Sequence, residues 1–235
     1  MSPKSKVRRP KLPFVFINMA MTADGKIATA NRDVATFGSP RDHEHLLALR
    51  ATADAIMAGA RTVDSAAINL GPGPARFRRL RLKNGLAEYN LRVIVTGSGS
   101  LKPDAEVFKH RFSPIIILTT GRASKTKLRQ LRSVADEVKV FGRREINFRV
   151  ALHWLHRQWN VKRLLCEGGG ELNDALFRAG LVDELNLTIC PQIVGGRNAP
   201  TIADGKGFLR LAKALPLQLK SFKRAKNEVF VVFRR

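Results

Sequence analysis

Apolar residues in this chain gather in short continuous runs more than in strict alternation. The first run, Pro13-Phe14-Val15-Phe16-Ile17-Asn18-Met19-Ala20, is apolar but for one asparagine. A run of that length bounded by turn residues marks a strand covered on both faces, as in a parallel sheet. Strand-like stretches follow at 55–59, 92–96, 114–119, 137–141, 163–166 and 185–190. Between several of them the apolar positions shift to helical spacing, over 124–132, 148–159 and 171–179. Ser39 and Pro40 stand in the cap and first-turn positions of a further helix carrying Leu46, Leu47, Leu49 and Arg50. Strands alternating with helices predict an α/β fold with crossover units, its sheet mainly parallel and flanked by helices. The runs at 185–190, 217–222 and 229–233 lack a full helix between them, which predicts antiparallel strands at the C-terminal edge. The apolar, turn-rich segment 181–196 either finishes the sheet within one subunit or pairs across a dimer.

With 235 residues and 44% of them hydrophobic, the chain can fill a sizeable core. Residues 1–12 read as a flexible basic tail and 13–235 as a single domain, with no internal repeat or linker dividing it. Residues 69–90 contain Gly-Pro-Gly-Pro followed by a run of arginines, and predict a long surface loop with room for a short helix. No apolar run approaches the roughly 20 residues that span a bilayer, and the N-terminus lacks the apolar segment of a signal peptide. A cytoplasmic protein without membrane contact is expected. Cys166 and Cys190 lie inside apolar strand-like runs with no metal-ligand spacing nearby. Small buried hydrophobes are expected there, with no disulfide and no metal site.

Charge adds one question. Lysine and arginine number 42 against 19 aspartate and glutamate, a formal charge of +23. Such a balance raises nucleic acid as a partner through release of counterions from phosphates. The cations are spread along the chain, and no zinc-finger spacing, aromatic RNA-recognition motif or basic region with heptads accompanies them. A basic solvated surface on an enzyme that handles anionic ligands is the better reading, with nucleic-acid contact limited to non-specific binding.

Candidate chemistry sits where the predicted strands end. After the strand at 163–166 comes Glu167-Gly168-Gly169-Gly170-Glu171-Leu172. Three glycines remove every Cβ from the turn, so backbone N–H groups at a helix start can approach a phosphate. A tight strand-to-helix turn without a ligand is the alternative. Glu167 would repel a phosphate at the mouth of that turn, which points it toward a neighbouring polar substrate. Thr22-Ala23-Asp24-Gly25-Lys26 follows the first strand, and reads either as a plain Asp-Gly turn or as one that sets Lys26 on a substrate phosphate or hydroxyl. Gly59-Ala60-Arg61-Thr62 follows the second, where Thr62 either satisfies a first-turn N–H or makes a second anion contact. Gly195-Gly196 alone is an ordinary turn.

Taken in order, these segments resemble one family. The stretch 18–28, Leu49-Arg50-Ala51, the stretch 54–63, Glu167-Gly168-Gly169-Gly170, Gly180-Leu181-Val182-Asp183-Glu184-Leu185 and Pro191-Gln192-Ile193-Val194-Gly195-Gly196 are similar to the pyrimidine reductases of riboflavin biosynthesis. These enzymes stand alone or form the C-terminal half of a bifunctional deaminase-reductase, and the resemblance covers about residues 13–235. It implies a dihydrofolate-reductase-like fold, NADPH as hydride donor, a homodimer, and reduction of a phosphorylated ribosylamino-pyrimidine to the ribityl form. By position it implies that Gly168, Gly169, Gly170, Glu171 and Leu172 hold the NADPH pyrophosphate, with Ala20, Thr36 and Thr62 completing the cofactor site. It turns Lys26, Arg50, Leu70 and Glu167 to the substrate, with Lys26 and Glu167 in catalytic roles. Arg50 or Lys26 would neutralise the sugar phosphate, and Glu167 would bond ribose hydroxyls or pyrimidine amines and relay a proton.

Two departures stand out. The paired aspartates of the family are replaced within Asp64-Ser65-Ala66-Ala67-Ile68-Asn69-Leu70, and Gly73 occupies the place of a substrate-binding arginine. Arg76, Arg78 and Arg79 are the nearby cations available to compensate. The zinc-binding set of the deaminase is absent, so no deamination is expected. Two alternatives stand beside the reductase: an enzyme of the same fold and cofactor acting on another heterocycle such as a pterin, and a nucleic-acid-binding protein on a reductase scaffold.

Overall fold

A computed structural model describes residues 11–32, 38–65 and 67–235. The strands are β1 (Phe14–Thr22), β2 (Ala55–Gly59), β3 (Leu91–Thr96), β4 (Ile115–Thr119), β5 (Glu137–Val140), β6 (Arg163–Cys166), β7 (Glu184–Cys190), β8 (Gln218–Ala225) and β9 (Glu228–Arg234). They form one sheet in the order β5-β4-β3-β2-β6-β1-β7-β9-β8. From β5 to β7 neighbouring strands pair in parallel, while β9 pairs antiparallel with both β7 and β8. The mixed, mainly parallel sheet with its antiparallel C-terminal edge is the architecture that the apolar runs predict. Segment 181–196 contributes β7 to the sheet of its own chain. Most of the tail expected over 1–12 lies outside the described residues.

Helices cover both faces. They are α1 (Pro40–Arg50), α2 (Ala60–Ser65), α3 (Ala75–Lys83), α4 (Glu106–Lys109), α5 (Lys125–Val134), α6 (Phe148–Trp159) and α7 (Gly170–Arg178). Strand alternation assigns the layers. Val15 and Ile17 of β1 join Leu152 and Leu155 of α6 and Leu172 and Leu176 of α7 in one core. Phe16, between them, faces the other way and packs with Leu165 and with Leu46 and Leu49 of α1. On that second face Ile56, Ile94 and Ile117 meet Val63 of α2, Phe108 of α4 and Leu131 of α5. Both cysteines are buried and free.

The order of insertion creates the site. The chain runs outward from β2 to β5, then returns through α6 and threads β6 between β2 and β1. The carboxyl ends of β2, β6 and β1 therefore lie side by side where the winding reverses, the position at which open α/β sheets bind ligands. At the head of α1, Ser39 Oγ accepts from the amides of Arg41 and Asp42 while Ser39 itself donates to the Glu228 carboxylate of β9. This ties the helix start to the antiparallel end of the sheet, at the strand next to its edge.

The segment 69–90 contains the short helix for which the sequence leaves room and much of it is exposed, but it is not wholly at the surface. Leu70, Gly71 and Pro72 are buried, α3 occupies the centre, and Phe77 and Arg81 point inward. Arg81 is 1% exposed: its Nη1 donates to Arg50 O and Ala53 O at 2.6 and 2.7 Å, and its Nε to Ala87 O at 2.9 Å. The arginine run looks solvated in sequence, yet one member caps the carbonyls at the end of α1. Arg81→Met should lower stability by about 2–4 kcal/mol, because three acceptors lose their donor. A fall in urea midpoint at unchanged slope would bear this out, and an unmoved midpoint would refute it.

Candidate active site

β6 ends at Cys166, and Glu167 follows as the strand gives way to the glycine turn. The turn is stitched to β2: Glu167 N donates to Met57 O at 2.8 Å and Gly59 N to Gly168 O at 2.7 Å. The Gly168–Gly169 peptide is cis. Gly168 has φ of +79°, and a Cβ there would stand 2.8 Å from Met19 Sδ. A Cβ on Gly170 would meet Thr201 O at 2.5 Å. Gly169, the N-cap of α7 with an extended backbone, would bring its Cβ no closer than 3.4 Å to any described residue other than its chain neighbours, and the atom at that distance is Thr62 Oγ1. Among the described residues no side-chain hydrogen bond caps α7 at Gly169, so its first-turn N–H groups are left without a side-chain acceptor there.

A cleft of about 1220 Å³ opens over this turn. It brings together Thr62, Glu167, Gly169, Gly170, Glu171 and Leu172 among the residues expected in the site, with Met19, Ser98, Thr120 and Arg144 further along its walls. Glu171 forms an exposed ion pair with Arg61 at 2.8 Å. Ala20 sits on β1 beside Met19, and Thr36 lies outside the described residues. Lys26 does not join the lining. Its Nζ donates to Ala199 O at 3.2 Å, while its neighbours Ile27 and Ala28 line the cleft. The turn that carries it is set by Asp24, which accepts from Thr22 Oγ1 at 2.6 Å and from the amides of Val194 and Gly195 at 3.2 and 2.7 Å. The Thr22 hydroxyl above all holds the Asp24 carboxyl down at about 2.

Arg50 and Glu167, each expected to face substrate, bind one another. Arg50 Nε and Nη2 donate to the two Glu167 oxygens at 2.6 Å each, and Nη1 donates to Gly71 O at 2.6 Å. The side chains are only 9% and 10% exposed. Such a fork-to-carboxylate pair fixes both groups in one plane. Gly71 is held for it by Asn69, whose Oδ1 accepts from Gly71 N at 2.9 Å, and by Leu70, wholly buried at a φ of +55°. Leu70 is thus a core residue that shapes the pair's surroundings.

At Gly73, φ is +81° and a Cβ would lie 2.7 Å from Leu47 Cδ2. An arginine side chain has no ready room there. Two of the loop cations are already engaged, Arg76 with Glu44 and Arg78 with Glu88. Arg79 is exposed.

Sequence reasoning missed a buried polar patch under α1. Asn18 Oδ1, Asp42 Oδ1 and Thr188 Oγ1 are buried without a hydrogen-bond partner among the described residues. Burial pushes the Asp42 carboxyl up against the opposing pull of the Thr188 hydroxyl beside it, and the nearby Glu228 charge adds to the rise. Two signals were available: an asparagine inside the otherwise apolar β1 run, and an aspartate three residues after the Ser39 cap.

A mainly parallel sheet with a glycine turn opening a helix at its reversal point defines an open α/β protein whose cleft lies at the carboxyl ends of its strands. Residues 13–231 match the RibD C-terminal domain, and the chain belongs to that family. It is 35% identical over 198 residues to the 2,5-diamino-6-ribosylamino-4(3H)-pyrimidinone 5′-phosphate reductase of Archaeoglobus fulgidus, covering 84% of this chain and 89% of that one. The reductase of the same name from Methanothermobacter thermautotrophicus is 36% identical over 208 residues, with 88% and 91% covered. A pyrimidine reductase-like protein of Corynebacterium diphtheriae shares the fold with a TM-score of 0.75 at 23% identity, over 94% of this chain and 91% of that one.

Removing one partner of the buried pair leaves the other charge uncompensated, so Glu167→Ala and Arg50→Ala should each cost about 3–5 kcal/mol. The double variant should cost well under the sum, and a double-mutant cycle on chemical unfolding measures the difference. Additive losses would mean that the two side chains do not depend on one another.

Proposed function

We propose that this protein is an NADPH-dependent reductase of riboflavin biosynthesis. Its substrate would be 2,5-diamino-6-ribosylamino-4(3H)-pyrimidinone 5′-phosphate or the deaminated 5-amino-6-(5-phosphoribosylamino)uracil, and its product the ribityl compound. The observation that carries this reading is the cleft in which an uncapped helix start and an Arg50-bound carboxylate stand together. The named activity of two relatives that span most of the chain supports it.

The residues fit a nicotinamide dinucleotide. Gly169 leaves the turn open toward Thr62, and the N–H groups of Gly170, Glu171 and Leu172 begin a helix whose positive end suits a pyrophosphate. When bound, the nicotinamide supplies the hydride. Glu167 accepts hydrogen bonds from the sugar, and Arg50 keeps that carboxylate from turning away, so that C1′ is presented in one orientation. A lone pair of Glu167 not used by Arg50 can relay the ribosylamine N–H proton to the ring oxygen as the C1′–oxygen bond breaks, leaving an imine carbon C1′ to be reduced and a nitrogen that regains its proton from solvent. Packing at Gly73 favours a second reading, a different heterocycle such as a pterin on the same fold and cofactor, because the sugar-phosphate end is where this chain departs from the family.

Purified protein given NADPH and the phosphorylated ribosylamino-pyrimidine should consume NADPH steadily at 340 nm. Gly169→Val should abolish saturable NADPH binding with little change in thermal unfolding, since that Cβ meets no backbone of the fold. Tight NADPH binding without consumption would transfer the proposal to another heterocycle. Affinity unchanged in Gly169→Val would remove the phosphate cradle.

A further inference from the structure

The chain after β7 crosses the N-terminus of α7 as a strap fastened along its length. At one end Ile27 N donates to Pro200 O at 2.9 Å and Lys26 Nζ to Ala199 O at 3.2 Å. Over the helix start, Asp204 N donates to Gly170 O at 3.0 Å and Asn173 Nδ2 to Ile202 O at 2.8 Å. The strap is braced internally, with Asp204 accepting from Thr201 N and Thr201 Oγ1 at 2.8 and 2.7 Å. Beyond the helix start, Lys206 N and Gly207 N both donate to the Asp174 carboxylate at 3.1 Å. Lys206 Nζ then pairs with Glu145, in the loop before α6. Pro200, Asp204 and Glu145 line the cleft together with Gly169 and Gly170.

We propose that Asp174 is a positioning residue for the cofactor end of the cleft, locking strap residues 205–207 onto α7 and so fixing the wall that faces the glycine turn. This rests on reading the cleft as a nicotinamide-cofactor site. Asp174 is 4% exposed, and its charge is balanced by Arg178 Nε at 2.8 Å, one helical turn on. It is a buried carboxylate that accepts three hydrogen bonds among the described residues, two from strap amides and one from Arg178 of its own helix, a residue that also lines the cleft.

Two close approaches show how tightly strap and turn are fitted. A Cβ on Gly205 would stand 1.9 Å from Asp174 Oδ2, so only glycine passes over this carboxylate. A Cβ on Gly170 would stand 2.5 Å from Thr201 O, so the first residue of α7 lacks a side chain because the strap lies against it. Removing the carboxylate leaves two amides and a guanidinium without their acceptor, and beyond Asp204 the strap segment 205–207 is left with the exposed Lys206–Glu145 pair. The wall then no longer has a single position, and the cost falls on cofactor binding more than on the chemical step.

The test compares the full-length protein with Asp174→Ala and Asp174→Asn by amide hydrogen exchange without cofactor, by the KM for NADPH and by kcat. In Asp174→Ala the Lys206 and Gly207 amides should exchange at least tenfold faster, and the KM should rise on the order of tenfold with kcat within about twofold. Asp174→Asn keeps one acceptor and should fall between wild type and alanine in both readouts; it carries the test if the alanine variant does not fold. Faster exchange with an unmoved KM would overturn the proposal, as would a loss of thermal stability alone. If wild type shows no saturable NADPH binding, the cofactor reading fails and takes the proposal with it. The amide exchange then still tells whether the strap was anchored, which separates the two failures.

Discussion

Arg50 and Glu167 lie 117 residues apart in sequence and meet through two hydrogen bonds of 2.6 Å. One closes the last turn of α1, the other follows β6, and the third arm of the guanidinium reaches Gly71. Placing both charges where each is about a tenth exposed costs solvation that a pair of apolar side chains would not. What the pair provides is geometry. It sets the end of α1, the buried segment 69–71 and the start of the glycine turn in fixed relation, and it holds one carboxylate at the mouth of the cleft. Arg81 supports the arrangement from behind by capping Arg50 O and Ala53 O.

The three glycines next to this pair have different duties. Gly168 is required by its positive φ and by Met19, and Gly170 by the strap. Gly169 alone keeps space open toward the cleft. A glycine triplet that looks in sequence like one phosphate cradle is thus two packing solutions around one open position, and the strap takes part in building it. The proposed reduction draws on both halves: a positive helix start for the anionic cofactor, and a fixed carboxylate for the sugar.

The sheet was legible because the buried strands are continuous apolar runs, and β1, β2, β6 and α6 stand where that pattern puts them. The antiparallel edge was legible from the missing helix between the last runs. The interior of 69–90 was not. Gly-Pro-Gly-Pro and five basic residues over 76–83 read as solvated, and nothing local says that one arginine of the run turns inward to cap a helix. α4 spans four residues, too few to show a period. In the site, residue types could be read by their place at strand ends, but partners could not. Lys26 bonded to Ala199 O, Arg50 bonded to Glu167, and Asp174 bonded to the strap are all long-range pairings that only the topology creates.

Hydride delivery to the sugar carbon beside the Arg50–Glu167 pair is the central claim, and an isotope label addresses it most directly. Wild-type protein would be incubated with the phosphorylated ribosylamino-pyrimidine and NADPH deuterated at the transferable C4 position, and the product analysed by mass spectrometry and NMR. The account predicts one deuterium, carried on C1′ of a ribityl chain. A reduced product labelled on the heterocycle, or a ribityl product without label at C1′, would contradict it.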